Sequence, residues 1–185
     1  MIAKRTVMAA SIAMLALVCL AADEPKQTID AKGLSFDVPK TWKSSTPSSS
    51  MRAAQLNVDP AEGDTEPAEL VLFVFPGGAG GVDANVKRWQ EQFKDKDGKP
   101  PKVTRETRKG KNTDVTYVEV AGRYVAAVRP GSPQTLNKPD FRLMGAIVET
   151  PDSGYFLKMV GPEKTMKAAK PAFDNLIASI RVAGK

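Results

Sequence analysis

Apolar and polar positions along this chain change period in a readable way, and the clearest change lies between Phe141 and Ile180. Phe141 to Val148 is apolar on both alternating faces after its first two residues, the signature of a strand covered on both sides. Thr150-Pro151-Asp152-Ser153-Gly154 follows, with a proline to pre-set a turn and a glycine to take a positive φ, so the chain doubles back. Tyr155 to Val160 is the return strand. Gly161-Pro162 then opens a helix whose apolar side runs Met166, Ala169, Phe173, Leu176, Ile177 and Ile180. Pro171 falls inside that helix and predicts a bend or a break near Lys170, because proline lacks the amide proton and crowds the preceding turn.

The same reading upstream gives three strands, a helix and two further strands before the hairpin. Leu34 to Val38 alternates and is stopped by Pro39, with Trp42 folding back onto the core edge. Met51 to Val58 is the second strand, and Leu70 to Phe75, six apolar residues in a row, is a central third one. After the Gly77–Gly81 loop, Asp83 or Asn85 is placed to cap a helix carrying Val82, Val86, Trp89 and Phe93 on one side. Pro101 to Lys109 and Asn112 to Val120 pair as antiparallel strands around Lys109-Gly110-Lys111, and the proline-bearing stretch Arg129 to Asp140 is a long loop.

Composition narrows the chemistry. Lys4, Arg5, the apolar run Val7 to Leu20 and the small residues Cys19-Leu20-Ala21 read as a cleavable export signal over 1–21, with lipid anchoring through Cys19 the lesser alternative. The run is too short to favour a permanent membrane span. Residues 22–33 then read as a flexible leader, and 34–182 as one domain. Cys19 is the only cysteine and there is no histidine, which removes thiol chemistry from the mature chain together with His-based triads and His metal sites. The formal charge of +6 includes Lys4 and Arg5; the remaining surplus is small and disfavours nucleic acid as a partner.

Three features resemble a known fold. They are Phe36-x-Val38-Pro39-x-x-Trp42, the Gly-rich loop before Asn85-x-x-x-Trp89, and Tyr155-Phe156-Leu157-Lys158-Met159-Val160-Gly161-Pro162 before a last helix. Together they resemble the PsbP-like α/β/α sandwich, the fold of the photosystem oxygen-evolving protein PsbP and of a Ran-binding release factor. Uncharacterised exported bacterial proteins of that type are the nearest likeness. The resemblance spans most of Leu34 to Val182. It implies an α+β sandwich, a mainly antiparallel sheet of about six to seven strands with helices on both faces, and members that bind partners and are not known for catalysis. No functional residue of PsbP maps onto a position here, so its role is not carried over.

Each local motif also has a structural reading. The Gly77–Gly81 loop could hold an anion on its backbone amides, but it lacks the Gly-Lys-Ser/Thr of a nucleotide loop and carries Asp83 at the helix start, so a packing turn is preferred. Asp59, Glu62, Asp64, Glu66 and Glu69 do not follow calcium-loop spacing and read as a solvated acidic loop. Lys99, Lys102, Arg105, Arg108, Lys109 and Lys111 read as an edge hairpin protected against strand pairing, ahead of a surface for lipid head groups or polyanions. Lys158 is the most informative residue: a five-residue turn would set it opposite Ala146, beneath the last helix, on the face of Phe156 and Val160, with Arg142 two rungs away. A lysine there must reach water or a partner, since leaving it bare costs several kcal/mol.

The sequence therefore points to an exported, non-catalytic binding or accessory module for a protein partner or envelope component, using the Arg129–Asp140 loop and nearby basic residues. Lys158, Arg142 and Tyr124 are its ligand or partner candidates, with no catalytic, cofactor or metal residue assigned. The competing readings are a histidine-free hydrolase or lyase pairing Lys158 with a carboxylate, and an anion- or lipid-binding module.

Overall fold

The computed structural model describes residues 24–129 and 131–184. The export signal expected over 1–21 lies outside them. In chain order the strands are β1 (Lys26–Ala31), β2 (Leu34–Pro39), β3 (Lys43–Ser44), β4 (Arg52–Val58) and β5 (Ala68–Pro76). After helix α1 (Gly81–Glu91) come β6 (Phe93–Lys94), β7 (Val103–Lys109), β8 (Asp114–Tyr124), β9 (Lys138–Glu149) and β10 (Ser153–Pro162), then α2 (Glu163–Ser179) and β11 (Arg181–Val182). All strand pairs are antiparallel. The main sheet has eight strands in the order β3-β4-β5-β10-β9-β8-β6, with β7 also on β8, and a second sheet runs β1-β2-β11. The described residues are thus mainly antiparallel sheet with two helices. Among the described residues no helix is long and apolar enough to cross a membrane.

Alternation along the central strands builds two separate cores. On β9, Leu143 and Ile147 join Trp89 of α1, Phe93, Val118, Val120 and Phe156. Their neighbours Met144, Ala146 and Val148 join Tyr117, Leu157, Met159 and the apolar side of α2, Met166, Phe173, Leu176 and Ile177. Successive side chains of a strand point to opposite faces, so these two clusters lie on opposite sides of the sheet. Leu34, Phe36 and Val38 of β2 are fully buried in the α2 cluster, so the small sheet and α2 cover that core together.

Several expectations need correction. The main sheet has eight strands, not six to seven, because the two-residue strands β3 and β6 extend its edges, and Leu34–Pro39 lies outside it in the second sheet. Residues 26–31 are not a flexible leader: they pair with β2 along its whole length, Lys26 with Pro39 through to Ala31 with Leu34. The Arg129–Asp140 loop is shorter at its end, since β9 begins at Lys138, and its base is closed by an Ala127–Thr135 bridge. Pro171 does not split α2, which runs unbroken from Glu163 to Ser179. It sits on the exposed side, where water can reach the Lys167 carbonyl that loses its amide donor.

Neither Asp83 nor Asn85 caps α1, whose N-cap is Gly80 at φ 79°, a left-handed conformation that glycine adopts without a Cβ penalty. Asn85 is instead buried one turn inside, donating to the carbonyls of Ala79 and Gly81 at 2.8 and 2.7 Å, which ties the glycine loop to the helix. The acidic loop also has structural work. Asp64 accepts hydrogen bonds from the amide and hydroxyl of Thr165, both at 2.7 Å, and so caps the start of α2 from outside the helix. At the other end Ser179 donates to Leu176 O at 2.7 Å and accepts the Asp37 amide at 2.8 Å.

Candidate functional site

The turn between β9 and β10 decides where Lys158 goes. Thr150 closes it with three hydrogen bonds to Ser153: its amide and hydroxyl donate to Ser153 O, and its hydroxyl oxygen accepts the Ser153 amide. Four residues, not five, separate the paired Glu149 and Gly154. The register therefore sets Leu157 opposite Ala146 and Lys158 opposite Gly145. Because side chains alternate, this one-residue difference moves Lys158 from the α2 side to the α1 side. Phe156 and Val160 do share its face, as expected.

Gly145 is what lets α1 lie over this part of the sheet. A Cβ there would come within 2.2 Å of Trp89 Cζ3, so the indole occupies the space a side chain would need. At the end of α1, Gln92 turns back over the sheet. Its side-chain oxygen accepts the Lys158 ammonium at 2.5 Å, and its backbone carbonyl accepts the Val125 amide at 2.8 Å. Val125 is the first residue after β8, so Gln92 joins the lysine to the base of the projecting loop.

Tyr124 completes the group. The Lys158 Nζ lies 5.6 Å from the centre of its ring, within range of a cation–π interaction. That ring packs against Phe93 at 5.0 Å and lies parallel to Phe141 at 6.0 Å, held by aromatic neighbours on two sides. Burial pushes the Tyr124 phenol up to about 12, with the Glu69 carboxylate adding to the effect, so it is neutral at all ordinary pH. Burial pushes Lys158 down to about 8; the Glu69 carboxylate opposes this and Arg52 reinforces it. Among the described residues no carboxylate lies within ion-pair distance of Lys158, so the acid that a lysine–carboxylate hydrolase or lyase requires is not beside it.

Helix α1 packs on β6, β8 and β9. Further across the same face, Arg52, Gln55, Glu69, Phe73 and Phe75 on β4 and β5 stay half-buried. Arg52 is bound to Glu69 at 3.0 Å and Gln55 donates to the same carboxylate at 2.7 Å. Phe73 and Phe75 lie parallel at 6.5 Å, and Phe75 meets Phe156 edge-on at 5.7 Å. Lys158 and Tyr124 thus border a mixed aromatic and polar surface.

Arg142 does not belong to this site. It projects to the opposite side, where it grips Glu163 of α2 through two bonds of 2.8 and 2.5 Å and forms an ion pair with Glu119. Tyr117 donates to Glu119, and Arg108 stacks over the Tyr117 ring at 3.6 Å. Burial raises the Glu163 carboxyl, but hydrogen bonds from Arg142 and Lys167 outweigh it and hold the group below its ordinary range. This network locks α2 to the sheet. The structure therefore brings Lys158 and Tyr124 together and separates Arg142 from them.

Gln92, the hub of the group, was missed by sequence reasoning. A glutamine at a helix end is unremarkable in one dimension, and only the register that aims Lys158 at it reveals its part. Half of the basic hairpin's cations are engaged within the chain: Arg105 pairs with Asp83, Arg108 with Glu106 and Asp174, and Lys109 with Asp114. Elsewhere, a groove of about 690 Å³ runs between β2 and α2, lined by Val38, Pro39, Ala168, Pro171 and Ala172 among others. Polar and charged side chains line it as well: Glu24, Lys26, Asp37, Lys111, Asn175 and Ser179.

No family model and no curated protein matches the chain. Among solved structures, the chain is similar to the cyanobacterial PsbP (CyanoP) of Synechocystis sp. PCC 6803, with a TM-score of 0.54 at 11% identity over 88% of this chain and 95% of that one. A protein from Bacteroides thetaiotaomicron VPI-5482 aligns with a TM-score of 0.49 at 11% identity, over 89% of this chain and 50% of its own. The first of these shows a PsbP-like fold and nothing beyond the fold.

Proposed function

We propose that this chain of PsbP-like fold is an exported, non-catalytic accessory module that docks a protein partner of the cell envelope. In this reading 1–21 is a removable signal, and 34–182, joined by β1, is one domain, an α/β/α sandwich with α1 and α2 as its two covers. Docking takes place on the sheet face beside α1, where Lys158 and Tyr124 meet the base of the loop following β8. The observation that carries it is the Lys158 ammonium, held at a half-covered sheet face by an amide oxygen and a ring instead of by a counter-charge. Such a group carries a standing desolvation cost that a partner can relieve.

Three features support the reading. Aromatic residues and an arginine border the lysine, the types enriched where binding energy concentrates. Val128, on the adjoining loop, is one of the few large apolar residues left exposed. Gln92 ties that loop to the lysine, so both can act as one surface. Affinity capture from the native envelope with the mature protein tests it. A partner retained by the wild type and released by Lys158→Ala and Tyr124→Ala is expected. Equal recovery with folded variants at both positions would overturn it.

A further inference from the structure

Lys158 has three N–H donors, and Gln92 takes one of them. The charged groups facing it are few. Glu69 on β5 attracts it and Arg52 on β4 repels it, but these two are bound to each other at 3.0 Å and largely cancel. Tyr124 contributes a neutral ring from β8, and Gln92 a neutral amide from the end of α1. What remains is a single positive charge with donors to spare, flanked by the apolar surfaces of Tyr124 and Phe156.

We propose that Lys158, Gln92 and Tyr124 form a carboxylate-recognition site, which receives an acidic side chain from the docked protein partner. This rests on the docking reading above and names the chemistry of the group the partner presents. One monovalent cation beside a compensated Arg52–Glu69 pair matches a monoanion. A phosphate dianion would bring a second charge close to Glu69 with no cation to meet it. The flanking rings suit the short methylene stem of an aspartate or glutamate, and the amide of Gln92 holds the ammonium in place. A carboxylate in this site stabilises the charged lysine, so binding raises the Lys158 titration midpoint above about 8 and weakens as the pH passes it.

The test uses the full mature chain labelled at lysine ε-carbons, observed by NMR with three probes: propionate, propionamide and inorganic phosphate. Propionate is expected to shift the Lys158 signal saturably and to raise its titration midpoint. Propionamide, the neutral isostere, should do neither, and phosphate should bind more weakly than propionate. Lys158→Met lacks the Lys158 signal, so its propionate binding is followed through the Tyr124 ring resonances; it should weaken by about ten- to a hundredfold, the loss expected for a charge-assisted hydrogen bond. Gln92→Glu fills the site from within: the Lys158 midpoint should rise without any probe, and the propionate response should vanish. Equal responses to propionate and propionamide, tighter binding of phosphate, or a full propionate response in Gln92→Glu would overturn the proposal. If propionate fails while partner capture still depends on Lys158, the carboxylate inference falls and docking stands. If propionate binds while capture ignores Lys158, docking falls and the carboxylate site stands alone.

Discussion

Replacing Lys158 with methionine keeps the length of the stem and removes the charge, and its effect on stability should reverse with pH. The group's pKa drops from 10.5 to about 8 on folding, chiefly because burial disfavours the ammonium. The unfolded chain therefore binds this proton more tightly than the native one. The resulting penalty is complete below pH 8, fades as the pH rises towards 10.5, and is gone above it. At roughly 1.4 kcal/mol per pH unit its full size is about 3 kcal/mol. Methionine escapes the penalty but leaves the Gln92 oxygen without its donor, a loss of about 1 kcal/mol. Lys158→Met should then be more stable than the wild type by about 2 kcal/mol at pH 7 and less stable by about 1 kcal/mol at pH 10.5. Urea unfolding of both proteins across that interval measures it. The other titrating groups are common to both and cancel in the difference, and residues 22–185 contain no cysteine to oxidise at the alkaline end. Parallel stability curves, with no change in their difference between pH 7 and 10.5, would refute the account of the lysine as a desolvated charge.

Three further changes probe the frame around the site. Gly145→Ala drives a methyl group into Trp89 and should cost about 1–3 kcal/mol in urea unfolding, with a change in tryptophan emission as α1 shifts. Arg142→Met leaves Glu119 without its cation and Glu163 with Lys167 alone; a loss of about 3 kcal/mol at pH 7 is expected, shrinking in acid as Glu163 takes up its proton. Asp64→Ala removes the cap of α2 and should lower the melting temperature at neutral pH. Hydrogen bonds from Thr165 hold the Asp64 carboxyl below its ordinary 3.8, so its contribution is present above that value and lost as the pH falls through its lower native one. Circular dichroism during acid titration should show wild type and variant converging below pH 4.

The large elements were legible in the sequence because their periods are clean. The apolar run of β5, the alternation of β8 and the 3.6-residue stripe of α2 all form where the pattern sets them. The site was harder, for a local reason. Thr150 folds its hydroxyl into the turn and shortens it by one residue, and that single step assigns Lys158 to the other helix and parts it from Arg142. Turn chemistry of this kind depends on a side chain satisfying its own backbone, which hydrophobic patterning does not register. The strand at Lys26–Ala31 was missed for a different reason: one face of it is exposed, so it carries little apolar signal and takes its order from pairing with β2. Asp64, read as part of a solvated loop, caps a helix that starts about a hundred residues downstream in sequence, a contact set by topology alone.

The docking proposal requires that the face beside α1 be the surface that meets another protein. Photo-crosslinkers placed one at a time at Val128, on the loop whose base is tied to Gln92, and at Ala168, in the groove between β2 and α2, measure this directly in intact cells of the source organism. One recurrent product from Val128, released when Lys158→Met is added and absent from Ala168, is the predicted result. Products from Ala168 alone, or Val128 products indifferent to Lys158, would contradict it.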